Sequence, residues 1–159
     1  MNKRNDFSSF EVAKALDIPI ERLRQWLKHG FVRPTTPARG QGTKAVFTRD
    51  VIYSIALFKS LLDMGINRTV ASSIAKSFEG TIGGVNLIKS IALVQDSIPK
   101  GQDEDRPFGE TARISLQFKD DVSSKALTVD TTGKPVPWSN ILIINIEQLV
   151  HDVEAGLAD

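Results

Sequence analysis

The stretch FSSFEVAKALDIPIERLRQWLKHG, residues 7–30, decides the fold. Ser8 and Glu11 have the S-x-x-E spacing of a capping box, and Phe7 and Val12 stand where a hydrophobic staple closes over it. A first helix is therefore expected from near Ser9 to about Leu16, with Val12, Ala13 and Leu16 on one face. Asp17-Ile18-Pro19 breaks it, because a residue before proline is biased away from helical angles. Pro19 suits the first position of a second helix, which runs to about His29, and Gly30 offers a left-handed stop. Ile20, Leu23 and Leu27 line its inner face, and Trp26 also falls at a core offset. Glu21, Arg22, Gln25 and Lys28 point outward, with Arg24 at the border. Helices shorter than about 12 residues do not persist alone in water. These two must pack on each other and on a third element, which is the helix-turn-helix arrangement. The outward face of the second helix is then free to enter a DNA major groove, whose width admits one α-helix.

Outward from this unit, FVRPTTPARGQGTKAVFT (residues 31–48) carries two prolines and two glycines and is not helical. Phe31-Val32 and Ala45-Val46-Phe47 are expected to pair as a small hairpin whose tip carries Arg33, Arg39 and Lys44. A third helix follows with Thr48 as cap and Val51, Ile52, Ile55, Phe58 and Leu62 at helical spacing, ending at Gly65. Asn67 caps a fourth, from Arg68 to about Phe78, with Val70, Ala71, Ile74 and Phe78 inward. EGTIGGV (79–85) reads as a linker or turn. Beyond it, Leu87–Val94 is ambiguous between helix and strand, and PKGQDEDRPFGE (99–110) reads as a polar loop. Ile114, Leu116 and Phe118 alternate as in a half-buried strand, and Leu127 and Val129 suggest another. The unbroken run Ile141–Ile144 reads as a buried central strand. Asn145 and Gln148 have capping-box spacing before a helical stripe of Ile146, Leu149, Val150, Val153 and Leu157. That stripe is a candidate dimer face, or a cover for the sheet within one subunit.

Charge is divided unevenly along the chain. Residues 1–78 hold 13 Lys and Arg against 6 Asp and Glu, and residues 79–159 hold 7 against 13. The net charge of +1 hides a basic half joined to an acidic one, which points to an anionic partner, nucleic acid above all, for the first half. The chain has no cysteine, which excludes disulfides and thiolate metal sites. His29 and His151, the two histidines, lie far apart in sequence, and no arrangement of Asp or Glu ligands completes a metal site with them. RGQG (39–42) follows no strand and lacks the Lys-Ser/Thr of a phosphate loop, and no nucleophile–base spacing emerges. No cofactor, metal or catalytic activity is expected. No apolar run nears the roughly 18 residues of a membrane span, and the N-terminus lacks a secretory core. The expected location is the cytoplasm, associated with the nucleoid.

The order of helix-turn-helix, proline-bearing basic hairpin and two further helices resembles the DNA-binding domain of the MerR family of bacterial transcription regulators, over residues 7–78. The family's Leu-Arg-aromatic-aromatic stretch is represented by Leu23-Arg24-Gln25-Trp26, its Gly-Leu pair by Gly30-Phe31, and its wing proline by Pro34. The wing's return corresponds to Ala45-Val46-Phe47-Thr48, and the third-helix ending to Leu61-Leu62-Asp63-Met64-Gly65-Ile66. Gln25 replaces an aromatic, Leu27 stands where an acid is usual, and Ala45 lacks the wing arginine. No three-heptad repeat follows the fourth helix, as the family's sensors would have. The resemblance implies double-stranded DNA as partner and Arg24 as a DNA-contacting arginine. Facing adds Arg22, Gln25 and Lys28 as base or phosphate readers, and the wing adds Arg33, Arg39 and Lys44.

The expected fold is α+β. Residues 7–78 form a winged helix-turn-helix of four helices and a β-hairpin wing. Residues 86–159 form a small α+β oligomerisation or regulatory domain with a short antiparallel or mixed sheet and a terminal helix. The expected function is a sequence-specific transcription regulator binding a palindromic site as a dimer or higher oligomer, with RNA polymerase a possible protein partner. The alternatives are an architectural DNA binder of the excisionase, nucleoid or segregation kind, and a protein-interaction module without DNA binding.

Overall fold

The computed structural model describes residues 4–40, 42–80, 82, 88–96, 112–118 and 138–158. The chain divides into two compact units. One comprises residues 1–85 together with 148–159, and the other residues 86–147. The last twelve residues thus count with the first unit, whereas the sequence reading placed all of 86–159 in the second.

In the first unit, strand β1 (Phe7–Ser8) leads into helix α1 (Ser9–Ala15). The capping box is formed. The Ser8 hydroxyl oxygen accepts from the Glu11 amide, and the Glu11 carboxylate accepts from the Ser8 amide at 2.8 Å. Helix α2 (Ile20–Lys28) follows, with Pro19 as its N-cap residue. Helices α3 (Arg49–Asp63) and α4 (Arg68–Ser77) complete the four. Asn67 caps α4 by accepting the Val70 amide at 2.9 Å. Thr48 precedes α3 without capping it through its side chain, and its hydroxyl instead lies 3.0 Å from that of Thr35.

Helices α1, α2 and α3 stop in the same way. The residue after the cap takes a left-handed conformation: Asp17 (φ 49°), Gly30 (φ 71°) and Gly65 (φ 87°). The next amide then reaches back five residues. Ile18 donates to the Ala13 carbonyl, Phe31 to Trp26 and Ile66 to Leu61, each at 3.0 Å. This is the Schellman geometry, which satisfies otherwise orphaned carbonyls and turns an apolar residue inward. Ile18 and Ile66 are accordingly buried. Glycine meets the left-handed requirement at no steric cost in two stops, and aspartate in the third.

Helix α3 is the centre of this unit. Every residue from Val51 to Phe58 is buried, so α3 is enclosed all round instead of carrying the one-sided stripe the spacing suggested. Leu61 is fully buried, while Leu62 is only half-buried. Trp26 of α2 meets Phe58 edge-on, with centroids 5.0 Å apart and planes at 88°. Ser54, buried on α3, donates to the Ala75 carbonyl of α4 at 2.8 Å. Two α4 side chains hold the end of α2: Ser72 donates to the Phe31 carbonyl at 2.6 Å and Lys76 to that of Gly30 at 2.7 Å.

The expected hairpin does not form as read. Strand β2 (Val46–Phe47) pairs antiparallel with β1, Phe7 opposite Phe47 and Ser8 opposite Val46. Its other neighbour is Thr36, through a two-bond bridge to Val46. Phe31 is unavailable for pairing, because its amide is used in the α2 stop and its carbonyl accepts from Ser72.

The second unit holds an antiparallel sheet of order β4-β3-β5, built from β3 (Ile88–Asp96), β4 (Ala112–Phe118) and β5 (Trp138–Asn145). Ile91 sits opposite Leu116 on one side and Ile144 on the other. Residues 88–94 of the ambiguous segment are therefore strand, and among the described strands β3, not the Ile141–Ile144 run, is central. Position within a sheet follows from which strands pair, and a single apolar run does not encode that. The polar stretch 99–110 and the strand expected around Leu127 and Val129 lie outside the described residues. Helix α5 (Ile146–Ala158) follows β5 directly. Its Leu149 and Val153 are buried within the chain, so the stripe offered as a dimer face is already partly covered.

Two outcomes follow for stability. Asp17→Gly relieves a non-glycine left-handed residue, and a rise of about 0.5–1 kcal/mol in unfolding free energy is expected by urea titration. The Ser8 amide and hydroxyl, helped by Arg4, hold Glu11 below the ordinary carboxylate value of 4.5. A depressed folded value means that this contribution is complete above 4.5 and fades as pH falls through the lower folded value. Stability measured against pH should therefore fall more steeply below 4.5 in the native chain than in Glu11→Gln.

Candidate nucleic-acid interface

Helix α2 is nine residues long, so each side chain's direction follows from 100° steps. Leu23 is fully buried and Trp26 nearly so, which fixes the inward side. Directly opposite lie Glu21 and Lys28, with Gln25 about 50° to one side. Arg22 and His29 stand on one flank and Arg24 on the other, all exposed. The Arg24 guanidinium is 3.5 Å from the Glu21 carboxylate, but both side chains are about two-thirds exposed. Such a pair is worth little and leaves the arginine available for exchange.

The Arg22 flank opens into a groove. Its far wall is the α3–α4 turn, and it is lined by Arg22, Gln25, His29, Asn67 and Arg68, with Trp26 and Phe31 at its floor. Sequence reading treated Asn67 and Arg68 only as a helix start. Their place beside α2 depends on how α3 turns at Gly65, and no local signal carries it.

The 33–45 loop has a defined root and tip. At the root, Thr36 bridges Val46, and the Thr48 amide donates to the Thr35 hydroxyl at 2.9 Å. At the tip, Gly40 is left-handed and its carbonyl accepts the Thr43 hydroxyl at 2.9 Å. Arg33, Arg39 and Lys44 are all exposed on this loop. They do not line the α2 groove, so the seven residues singled out from the sequence fall into two sets, one on α2 and one on the loop.

Among the described residues, no group of three or more His, Asp or Glu side chains could hold a metal ion. No described helix is long and apolar enough to cross a membrane.

A short helix pair with its second helix exposed on a cationic face, next to a rooted basic loop, defines the helix-turn-helix class of DNA-binding domain. Residues 7–77 match the family model described as MerR HTH family regulatory protein, and this N-terminal segment is a MerR-family helix-turn-helix domain. It marks the chain as a DNA-binding transcription regulator in general type. None of the curated proteins matches the chain.

The facing of α2 is testable through stability alone. Trp26→Ala removes a buried ring and should cost about 3–5 kcal/mol in denaturant unfolding. Gln25→Ala, on the exposed surface, should stay within about 0.5 kcal/mol of the native value.

Proposed function

We propose that the protein is a sequence-specific regulator of transcription, and not an enzyme, that reads a palindromic DNA site as a dimer or higher oligomer. Helix α2 enters the major groove, with Gln25 and Lys28 foremost and Arg22 and Arg24 gripping the two sides. The 33–45 loop acts as a wing, bringing Arg33, Arg39 and Lys44 to the backbone or the neighbouring minor groove. The observation that carries this reading is the α2 surface itself. Three cations and a glutamine project from a helix whose opposite side is locked into the core by Leu23 and Trp26.

The C-terminal half supplies the two-fold symmetry in this reading. Its acidic balance keeps it off the DNA and suits contact with another protein, RNA polymerase among the possibilities. Leu149 and Val153 are covered within the chain, so α5 offers only part of its apolar stripe for pairing. The working location is the nucleoid within the cytoplasm.

Selection of bound duplexes from a random pool, with the mass of the complex measured alongside, tests this directly. A palindromic consensus bound by a dimer is expected; indifferent binding along any duplex would instead indicate an architectural role. On the selected site, Arg24→Ala should weaken binding by about 1–3 kcal/mol. Affinity should fall steeply with salt, by nearly one unit of log–log slope for each phosphate neutralised. A flat salt response would remove nucleic acid as the partner.

A further inference from the structure

Residues 148–158 of α5 belong to the same compact unit as the helix-turn-helix. The contact is specific. A carboxylate oxygen of Glu154 accepts from the Tyr53 hydroxyl at 2.7 Å and from the Arg49 guanidinium, both on α3. The Arg49 and Glu154 side chains are 20% and 25% exposed, so this ion pair is largely withdrawn from water, unlike that of Arg24. Two residues on, Gly156 lies against the end of α1: a Cβ there would stand 2.4 Å from the Ala15 carbonyl oxygen. Only glycine permits this approach without displacement.

Arg49 also adjoins the loop root, following Thr48, whose amide donates to the Thr35 hydroxyl. Its Nε donates to the Arg4 carbonyl at 3.1 Å, and its backbone amide donates to Asn5 at 3.2 Å. Its guanidinium lies 5.3 Å from the centre of the Phe7 ring. Phe7 pairs with Phe47, and Thr48, the neighbour of Arg49, is bonded to Thr35. One guanidinium therefore joins β1, the start of α3 and the C-terminal helix at the base of the 33–45 loop.

The seat is not a sealed core. An open cleft of about 410 Å³ runs beside it, lined by Phe7, Phe10, Lys14, Arg49, Gly156 and Leu157 among others. β5 ends at Asn145 and α5 begins at Ile146, with no loop between.

We propose that α5 is a strap bracing the root of the DNA-binding loop. Glu154 is its positioning residue: seated on Arg49 and Tyr53, it fixes the β1–β2–α3 junction and hence the aim of Arg33, Arg39 and Lys44. Released, it leaves the loop root less constrained, and DNA affinity falls. The C-terminal helix thereby governs DNA binding. This rests on the DNA-binding reading above.

The chain has a single tyrosine, so the phenolate absorbance titration reports the strap directly. Burial first, and then the Glu154 carboxylate, push the Tyr53 hydroxyl from 10 up to about 12. A raised folded value stabilises the fold fully below 10 and is lost as pH rises through about 12. Glu154→Gln and Gly156→Leu, made separately in the full chain, should each move the titration down toward 10. Each should also speed amide exchange at Val46 and Phe47, and weaken binding of the selected duplex roughly 5- to 20-fold, the lower range for allosteric coupling. Far-UV circular dichroism should remain native in both. A lowered tyrosine titration with unchanged duplex affinity and unchanged exchange would overturn the strap, as would unchanged exchange at Val46 and Phe47 in both variants. If the native chain takes up no duplex, the DNA reading fails by itself, and amide exchange at Val46 and Phe47 still decides whether α5 braces the loop root.

Discussion

Helix α3 buries every residue from Val51 to Phe58, and a helix without a solvent side has to be covered on all sides. In a unit this small, cover comes from short elements that cannot stand alone. Helix α2 sets Trp26 against Phe58, α4 meets Ser54 at the Ala75 carbonyl, and Leu23, Ala71 and Phe47 are buried in the same unit. Each is amphipathic because α3 claims one of its sides. The exposed, cationic side of α2 is the necessary complement of that demand. Anchoring by Trp26 against Phe58 keeps it outward, and the bonds from Ser72 and Lys76 to Phe31 and Gly30 hold its far end in place.

Such a surface suits a ligand that is large, anionic and regular. Little enthalpy is invested in keeping the α2 cations where they are. The one ion pair seen there, Arg24 with Glu21, is long and exposed. Rigidity lies beneath the surface, in three Schellman stops and a capping box, so the charged side chains can adjust while the helix does not. The part-buried Arg49–Glu154 pair has the opposite character: it commits a cation to internal order.

Much of the first unit was legible because its signals are local. A capping box spans four residues, a glycine stop spans six, and the facing of a nine-residue helix follows from its period. Ser8 with Glu11, Gly30, Gly65 and Asn67 all act as their sequence context implies. What was misread is non-local. Phe31-Val32 had the composition of a strand, but the α2 stop had already taken the Phe31 amide, and β2 found its partner some forty residues earlier at Phe7 and Ser8. The groove formed by Arg22, Gln25 and Arg68 was likewise invisible, since it depends on the angle at which α4 leaves α3.

The sequence by itself determined the four N-terminal helices, their ends, and which side of α2 carries charge, because each rests on interactions within a turn or two of the chain. The family match over residues 7–77 agrees with that reading. Only the tertiary structure decided the pairing of β1 with β2, the central place of β3 among the described strands, and the seating of α5 on Arg49, Tyr53 and Ala15. Those depend on contacts across as many as 141 residues, from Ala15 to Gly156, and no periodicity or cap records which distant surface will be left open to receive them.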